Sequence, residues 1–325
     1  MSRFLVTGGA GFIGSHIAER LVSAEGRSAS GGKDGHFVRV LDNFSSGKEK
    51  NLSFLSGLRA NSYELIRGDI RDKSTCDKAC KGIDYVLHQA ALRSVPKSMN
   101  DPESYNDVNI GGTLNMLQAA LKNKVKRFVF ASSSSVYGEV DDFPEKESFT
   151  PGPISPYALS KLTGEYYCRI FSLHFGLPAI ALRYFNVFGP RQCLDDEYAV
   201  VIPKFINCLL ENRRPPIFGN GKQSRDFTFV QNVVEANLLA VKAKGVNYGV
   251  FNVAGGKDTA ILDLVGILNK ILGLDIRALF LPSRPGDVFR TLADLTLARK
   301  LLKFKPTVDF ISGLKITVDY WKKNA

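Results

Sequence analysis

Hydrophobic and polar positions change period along the chain. In the first half, short runs rich in β-branched and aromatic residues read as strands: Phe4-Leu5-Val6, Phe37–Leu41, Tyr63–Ile66, Tyr85–His88, Phe128–Ala131 and Ala179–Arg183. Between them, Gly14–Val22, Asn109–Leu121 and Tyr157–Phe175 place apolar residues three and four apart, the period of an amphipathic helix. Strands alternating with helices imply crossover connections, so the pattern predicts an α/β fold built on a doubly wound parallel sheet. From about Asn186 the pattern loses regularity, and Pro190, Pro203, Pro215-Pro216, Pro282, Pro285 and Pro306 punctuate it. Residues 1–185 are therefore assigned to one domain and 186–325 mainly to a smaller α/β domain that binds substrate. Two further strands, Phe227–Val230 and Val250–Val253, suggest that residues 225–255 return to the first unit. Ser23–Gly35 is Gly/Ser-rich and longer than the 2–6 residues of an ordinary αβ connection, and reads as a surface insertion.

Composition narrows the class. A chain of 325 residues with 44% hydrophobic content can bury a large core. No apolar run approaches the roughly 20 residues of a membrane span. Phe4-Leu5-Val6 runs straight into Thr7-Gly8-Gly9, which is not the pattern of a signal peptide. The five cysteines (Cys76, Cys80, Cys168, Cys193 and Cys208) form no Cys-x-x-Cys pair. A reduced, cytoplasmic protein without structural metal is expected. The net charge of +11 is scattered among acids, with no block of basic residues interleaved with aromatics. Nucleic-acid binding is not expected; attraction of anionic ligands is.

Candidate chemistry begins after the first strand. Gly8, Gly11 and Gly14 form G-x-x-G-x-x-G between that strand and a helix. The first glycine allows a tight turn, the second lets backbone approach a pyrophosphate, and the third packs helix on strand. The helix start supplies N–H groups for the anion. An ordinary turn is the plain alternative; the strand–loop–helix context favours a dinucleotide. Asp42 ends the second strand, where a carboxylate binds the adenosine ribose hydroxyls and repels a 2′-phosphate, favouring NAD over NADP. Its structural alternative is a cap for the next turn. Asp69-Ile70, at the end of the third strand, would face the adenine.

Tyr157 and Lys161 lie four apart and share a helix face. A Tyr titrates near 10, too high for a base at neutral pH. A nearby ammonium and a positive nicotinamide favour the phenolate. Ser132–Ser135 follow Phe128–Ala131, at the strand edge where parallel sheets bind ligands. One of these hydroxyls can relay a proton between Tyr157 and a substrate hydroxyl. A surface Tyr–Lys pair and a serine-rich loop are the plain alternatives to each signal taken singly.

With TGGAGFIGSH at Thr7–His16, LDNFSSG at Leu41–Gly47, GDIRD at Gly68–Asp72, HQAA at His88–Ala91, SSSSVYG at Ser132–Gly138, SPYALSK at Ser155–Lys161, LRYFNVFGPRQ at Leu182–Gln192, SRDFTFV at Ser224–Val230 and RPGDV at Arg284–Val288, the chain resembles the extended short-chain dehydrogenase/reductases. Within them it is most similar to the UDP-hexose 4-epimerases, the bacterial UDP-N-acetylglucosamine 4-epimerases above all. The resemblance implies a Rossmann-type cofactor domain, NAD as cofactor and a UDP-sugar as substrate. It implies Ser133, Tyr157 and Lys161 as catalytic residues, with Ser134 close by. The NAD pocket would comprise Gly8, Gly11, Phe12, Ile13, Gly14, Asp42, Asn43, Asp69, Ile70, Ala90, Asn109 and Tyr184, beside Tyr157 and Lys161. Arg93, Ser133, Ser134, Asn186, Gln192, Arg225, Arg284, Asp287 and Thr291 would meet the substrate. The guanidinium fork suits a diphosphate, and Asp287 can accept from uridine ribose hydroxyls. Surface ion pairing is the structural alternative for both arginines.

Two positions depart from close relatives. Arg93 stands where the N-acetyl-specific enzymes have Gly; it would narrow the sugar site, touch a phosphate or meet a sugar carboxylate, the last favouring UDP-glucuronate. Thr291 stands where a bulky Tyr blocks N-acetyl sugars in some relatives, so a 2-acetamido group should fit. The expectation is 4-epimerisation of UDP-N-acetylglucosamine and UDP-N-acetylgalactosamine, with UDP-glucose and UDP-galactose as weaker substrates. A 4,6-dehydratase would carry acids after the catalytic hydroxyl, where Ser134 and Ser135 stand. A non-catalytic NAD-sensing scaffold would not need Ser133, Tyr157 and Lys161 intact. Relatives pair two long helices into a homodimer, here about Glu103–Leu121 and Tyr157–Phe175.

Overall fold

The computed structural model describes residues 2–23, 36–57, 62–193, 201–282 and 288–324. From Ala24 onward, the Ser23–Gly35 insertion lies outside the described residues. The first half runs β1 (Arg3–Thr7), α1 (Phe12–Val22), β2 (Phe37–Asp42), β3 (Tyr63–Arg67), α2 (Lys73–Cys80) and β4 (Tyr85–His88). Short helices α3 (Val95–Asn100) and α4 (Pro102–Tyr105) follow, and a π-helical turn, Asn106–Gly111, leads into α5 (Gly112–Lys122). Then come β5 (Arg127–Ser133), α6 (Pro156–Phe175) and β6 (Ala179–Tyr184). The second half runs β7 (Val187–Phe188), α7 (Val201–Leu210), β8 (Pro216–Phe218), β9 (Ser224–Asp226), β10 (Thr228–Phe229), α8 (Val230–Lys242) and β11 (Tyr248–Val253). It ends with β12 (Asp258–Ala260), α9 (Ile261–Leu272), β13 (Leu279–Leu281), α10 (Thr296–Leu301) and α11 (Phe310–Asn324).

Seven strands form one sheet in the order β11-β6-β5-β4-β1-β2-β3, with every pairing parallel. The chain winds outward in both directions from the adjacent strands β1 and β4, and this reversal of direction opens a crevice at their C-terminal ends. Helices cover both faces, so β2 and β6 are buried at every residue, the condition under which a parallel strand reads as a continuous apolar run. Separate apolar clusters lie on the two faces of the sheet.

The expected strand Phe227–Val230 forms differently. Thr228–Phe229 makes a two-residue strand beside Val187–Phe188, and Val230 opens α8. The apolar residues Val230, Val233, Val234, Ala236 and Ala240 face inward at helical spacing, and that longer period decides the local structure. Val250–Val253 extends to Tyr248–Val253 and pairs with β6, Tyr248 opposite Ala179 and Val253 opposite Tyr184. The chain thus leaves the sheet after β6, returns through α8 and β11, and leaves again. Buried Thr228 ties these passages together: its hydroxyl donates to the Phe185 carbonyl at 2.5 Å, and its N–H donates to the Asn186 carbonyl at 3.2 Å. A third apolar cluster, with Phe227 stacked on Phe310 at 5.2 Å, supports the C-terminal elements.

Helix α6 carries Tyr157 and Lys161, and its placement is over-determined. Ser155 caps its start by accepting from the Ala158 N–H at 3.1 Å, with Pro156 in the first turn. Gly176 ends it in the left-handed conformation, φ 75°. Gly164 lets the helix approach β5: a Cβ there would lie 2.3 Å from the Phe130 ring. Among the described residues no helix is long and apolar enough to cross a membrane.

Candidate active site

A cleft of about 1390 Å³ lies at the C-terminal ends of the sheet strands. That exceeds the roughly 300–1,000 Å³ typical of one small-ligand site, so it has room for a dinucleotide and a second ligand. The glycine loop forms its base. Gly8 has φ 64°, and a Cβ on it would lie 2.8 Å from the Ala90 nitrogen. A Cβ on Gly14 would lie 2.2 Å from the Gly8 carbonyl oxygen. Gly11 caps α1 without a side chain, leaving the helix start bare for an anion. The cradle fits a dinucleotide pyrophosphate. Phe12, Ile13, Asp42, Asn43, Asp69, Ile70 and Ala90 line the same cleft.

Asp42 fills the capping role and lines the cleft. Its carboxylate accepts from the Ala10 N–H and the Phe44 N–H, each at 2.8 Å, which caps the turn. Each oxygen keeps a further lone pair for a ribose hydroxyl. Asp69 accepts from the Arg71 side chain and from Asn43 Nδ2. The Arg71 guanidinium, above all, holds its carboxyl down to about 2. Asn109 stands behind the cleft wall. Its amide accepts from the Leu92 N–H at 2.8 Å and donates to the Leu92 carbonyl at 3.0 Å, fixing the loop after β4. The buried Tyr184 phenol accepts from Asn237 Nδ2 at 2.8 Å and donates to Gln89 Oε1 at 3.2 Å; burial pushes it up to about 12.

Three residues meet where β5 ends. Tyr157 is half-buried in the cleft wall, and withdrawal from water pushes its phenol above the ordinary value, while the neighbouring Ser133 hydroxyl and then the charge of Arg93 act the other way. Lys161 Nζ donates to the Ala131 carbonyl at 2.8 Å and lies 5.9 Å from the Tyr157 ring centre. Burial brings its ammonium down to about 8. Ser133 Oγ accepts from the Ser135 N–H at 3.2 Å and lies 2.9 Å from Ser135 Oγ. Ser134 and Arg93 line the cleft beside them.

The second-ligand side is built from the C-terminal elements. Asn186 Nδ2 donates to the Asp226 carbonyl at 3.1 Å and to Thr291 Oγ1 at 2.9 Å. Thr291 Oγ1 also accepts from the Asp226 N–H at 3.2 Å. Arg225 lines the cleft, its Nη1 donating to the Ser224 and Phe289 carbonyls. Gln192 Nε2 donates to the Val187 carbonyl at 2.9 Å, while its buried Oε1 has no partner among the described residues. Arg284 and Asp287 lie outside the described residues.

Spacing did not reveal several groups here. Tyr105 is buried and donates to the carbonyls of Arg93 and Ser94, each at 2.9 Å. Glu165, one turn beyond Lys161, forms a wholly buried pair with Arg183 at 2.7 Å and accepts from Ser132 Oγ at 2.5 Å. Glu145 lines the cleft, its Oε2 without a partner among the described residues; burial, then the nearby Asp226, push its carboxyl up to about 8. A Glu beside Lys146 and Glu147 in a Pro-rich loop carries no local sign of such burial.

This arrangement can move a proton at a hydroxyl beside a bound dinucleotide. Comparison with known proteins agrees. The chain is 37% identical over 322 residues to a putative UDP-glucose 4-epimerase of Methanocaldococcus jannaschii, covering 98% of each chain. It superposes on a UDP-N-acetylglucosamine 4-epimerase of Methanobrevibacter ruminantium, solved with UDP-N-acetylmuramic acid, with TM-score 0.91, 41% identity and 100% and 99% coverage of the two chains. It superposes on a UDP-glucuronic acid 4-epimerase of Bacillus cereus, solved with UDP-glucuronic acid and NAD, with TM-score 0.88, 34% identity and 99% and 100% coverage. Residues 4–254 match the family model described as NAD dependent epimerase/dehydratase, and the chain belongs to that family.

Proposed function

We propose that this protein is a UDP-sugar 4-epimerase that interconverts UDP-N-acetylglucosamine and UDP-N-acetylgalactosamine and turns over UDP-glucose and UDP-galactose more weakly. The observation that carries the epimerase reading is that Tyr157, Ser133 and Lys161 line one cleft, with Lys161 Nζ 5.9 Å from the Tyr157 ring centre, at the mouth of a cradle that fits a dinucleotide. Gly8, Gly11, Gly14 and Asp42 would hold the cofactor, and Lys161 its nicotinamide ribose. When bound, NAD supplies oxidation and re-reduction at the sugar C4. Tyr157 takes the 4-hydroxyl proton, relayed by Ser133, and returns it after the 4-keto sugar has turned over. Arg225 and Arg284 hold the diphosphate, Asp287 the uridine ribose, and Asn186 and Gln192 complete that side. The small side chain of Thr291 supports the acetamido preference. Arg93 in the same cleft favours a second reading, UDP-glucuronate, in which its guanidinium meets the sugar carboxylate. Chromatographic product analysis with all three substrate pairs separates these readings; absence of any C4 epimer would sink the proposal.

The active form would be a homodimer in a reducing cytoplasm, where the five free cysteines stay thiols. Leu159, Tyr166, Ile170 and Leu173 lie at helical spacing along α6 and are 52%, 50%, 43% and 60% exposed, an apolar stripe suited to the same helix of a second copy. Sedimentation at micromolar concentration should give twice the chain mass, and Leu173→Glu should halve it.

A further inference from the structure

Proton transfer at a bound sugar needs the Tyr157 hydroxyl held in one orientation, because a misplacement of about 1 Å costs rate out of proportion to its size. The backbone of Tyr157 is fixed. Ser160 Oγ donates to the Tyr157 carbonyl at 2.8 Å and accepts from Asn109 Nδ2 at 3.0 Å. The ring stands half-buried in the cleft wall. Against it lies the Tyr105 ring, edge to face, with centroids 6.3 Å apart and planes at 86°, the arrangement that ring quadrupoles favour. Tyr105 is itself held. It is 3% exposed, and its phenol donates to the Arg93 and Ser94 carbonyls, each at 2.9 Å. Asn109 grips the preceding residue of that loop by the Leu92 N–H and carbonyl. Ser94 adopts φ 113°, a conformation that persists only where surroundings impose it. Leu92, Arg93 and Ser94 line the same cleft as Tyr157. One buried side chain therefore touches both the loop and the reactive ring.

We infer that Tyr105 is a positioning residue with two separable duties: its ring orients the Tyr157 ring, and its hydroxyl holds the cleft loop at Arg93 and Ser94. This rests on Tyr157 being the acid/base group. The first duty acts on the chemical step, because it places the atom that moves the proton. The second acts on substrate binding, because the loop forms part of the cleft wall. Tyr105→Phe removes the hydroxyl contacts and keeps the ring; Tyr105→Leu removes both.

The test measures kcat and KM with the UDP-sugar turned over fastest. It uses NAD-loaded wild type, Tyr105→Phe, Tyr105→Leu, Tyr157→Phe, and Tyr105→Leu combined with Tyr157→Phe. Tyr105→Phe should raise KM about fivefold, the usual worth of a hydrogen bond, and leave kcat within about twofold. Tyr105→Leu should raise KM alike and also lower kcat about tenfold, the upper end for an aromatic pair. In the Tyr157→Phe background, Tyr105→Leu should cost no further kcat, since no hydroxyl is left to orient. An equal loss of kcat in both backgrounds is what a merely structural residue gives, and it would overturn the inference. So would wild-type kcat in Tyr105→Leu. If the leucine variant does not fold, Tyr105→Phe still decides: a rise in KM alone supports the inference, and a comparable fall in kcat with the ring in place overturns it. Near-normal kcat in Tyr157→Phe is a separate failure, which removes Tyr157 as the acid/base group and the inference with it.

Discussion

Removing the Tyr157 hydroxyl leaves its ring packed against Tyr105 and its helix capped, so Tyr157→Phe separates chemistry from folding. Turnover should fall about 10²–10⁴-fold, the usual worth of a general acid–base group, while NAD stays bound; identifying the cofactor released from the purified variant checks the second half. Thr291 requires two substitutions. Thr291→Tyr would press on the C2 substituent, and overpacking costs about 1–3 kcal/mol, so the acetylated pair should suffer more than the plain hexoses. However, Thr291 Oγ1 also accepts from Asn186 and from the Asp226 N–H. Thr291→Val removes those bonds at nearly constant size, and should weaken both substrate pairs alike. Equal losses in both variants would mean that Thr291 orders Asn186 and does not gate the sugar. At this scale the sequence is legible where chemistry follows local spacing: Tyr157 and Lys161 share a helix turn, and Ser133 ends a recognisable strand. Tyr105 and Glu145 are not legible, because what defines them is contact with residues distant in sequence.

Among the elements, α6 is the one on which the site depends. Gly164 allows its close approach to β5, and an added methyl would meet the Phe130 ring at 2.3 Å. Gly164→Ala should lower stability by about 1–3 kcal/mol and lower kcat more than it raises KM, since Tyr157 and Lys161 move together away from β5. Denaturant unfolding and steady-state kinetics on one preparation would show both; unchanged kcat would mean that the helix can shift without disturbing its register on Ser133. The inner strands of the first half are legible because burial on both faces makes them largely apolar runs, and the edge strand β3 because its residues are still rich in strand formers. Helix α8 is not, because its first residues continue the β-branched run Phe227–Val230, and only the later spacing of Val233, Val234 and Asn237 marks the change of period.

The whole molecule carries a pH signature. Glu145 is pushed up to about 8 and Asp226 to about 7, both first by burial. Each keeps its proton when folded at pH values where the unfolded chain, titrating near 4, has lost it. Their contribution is therefore complete below about pH 4 and lost as pH rises through about 8. Melting temperature should decline across that window, and Glu145→Gln should flatten the decline; an unchanged slope would show that Glu145 does not titrate there. The junction at Thr228 bears on biosynthesis. The last strand of the cofactor sheet, β11, pairs with β6 across the whole intervening segment, so a ribosome that has released β6 has not yet supplied its neighbour. Until residues 248–253 emerge, the nascent chain holds an incomplete sheet with an open edge, the kind of surface on which copies of a chain adhere. A gene truncated after residue 185 should yield insoluble product, and co-expression of residues 186–325 should rescue part of it, because the missing strand arrives in trans.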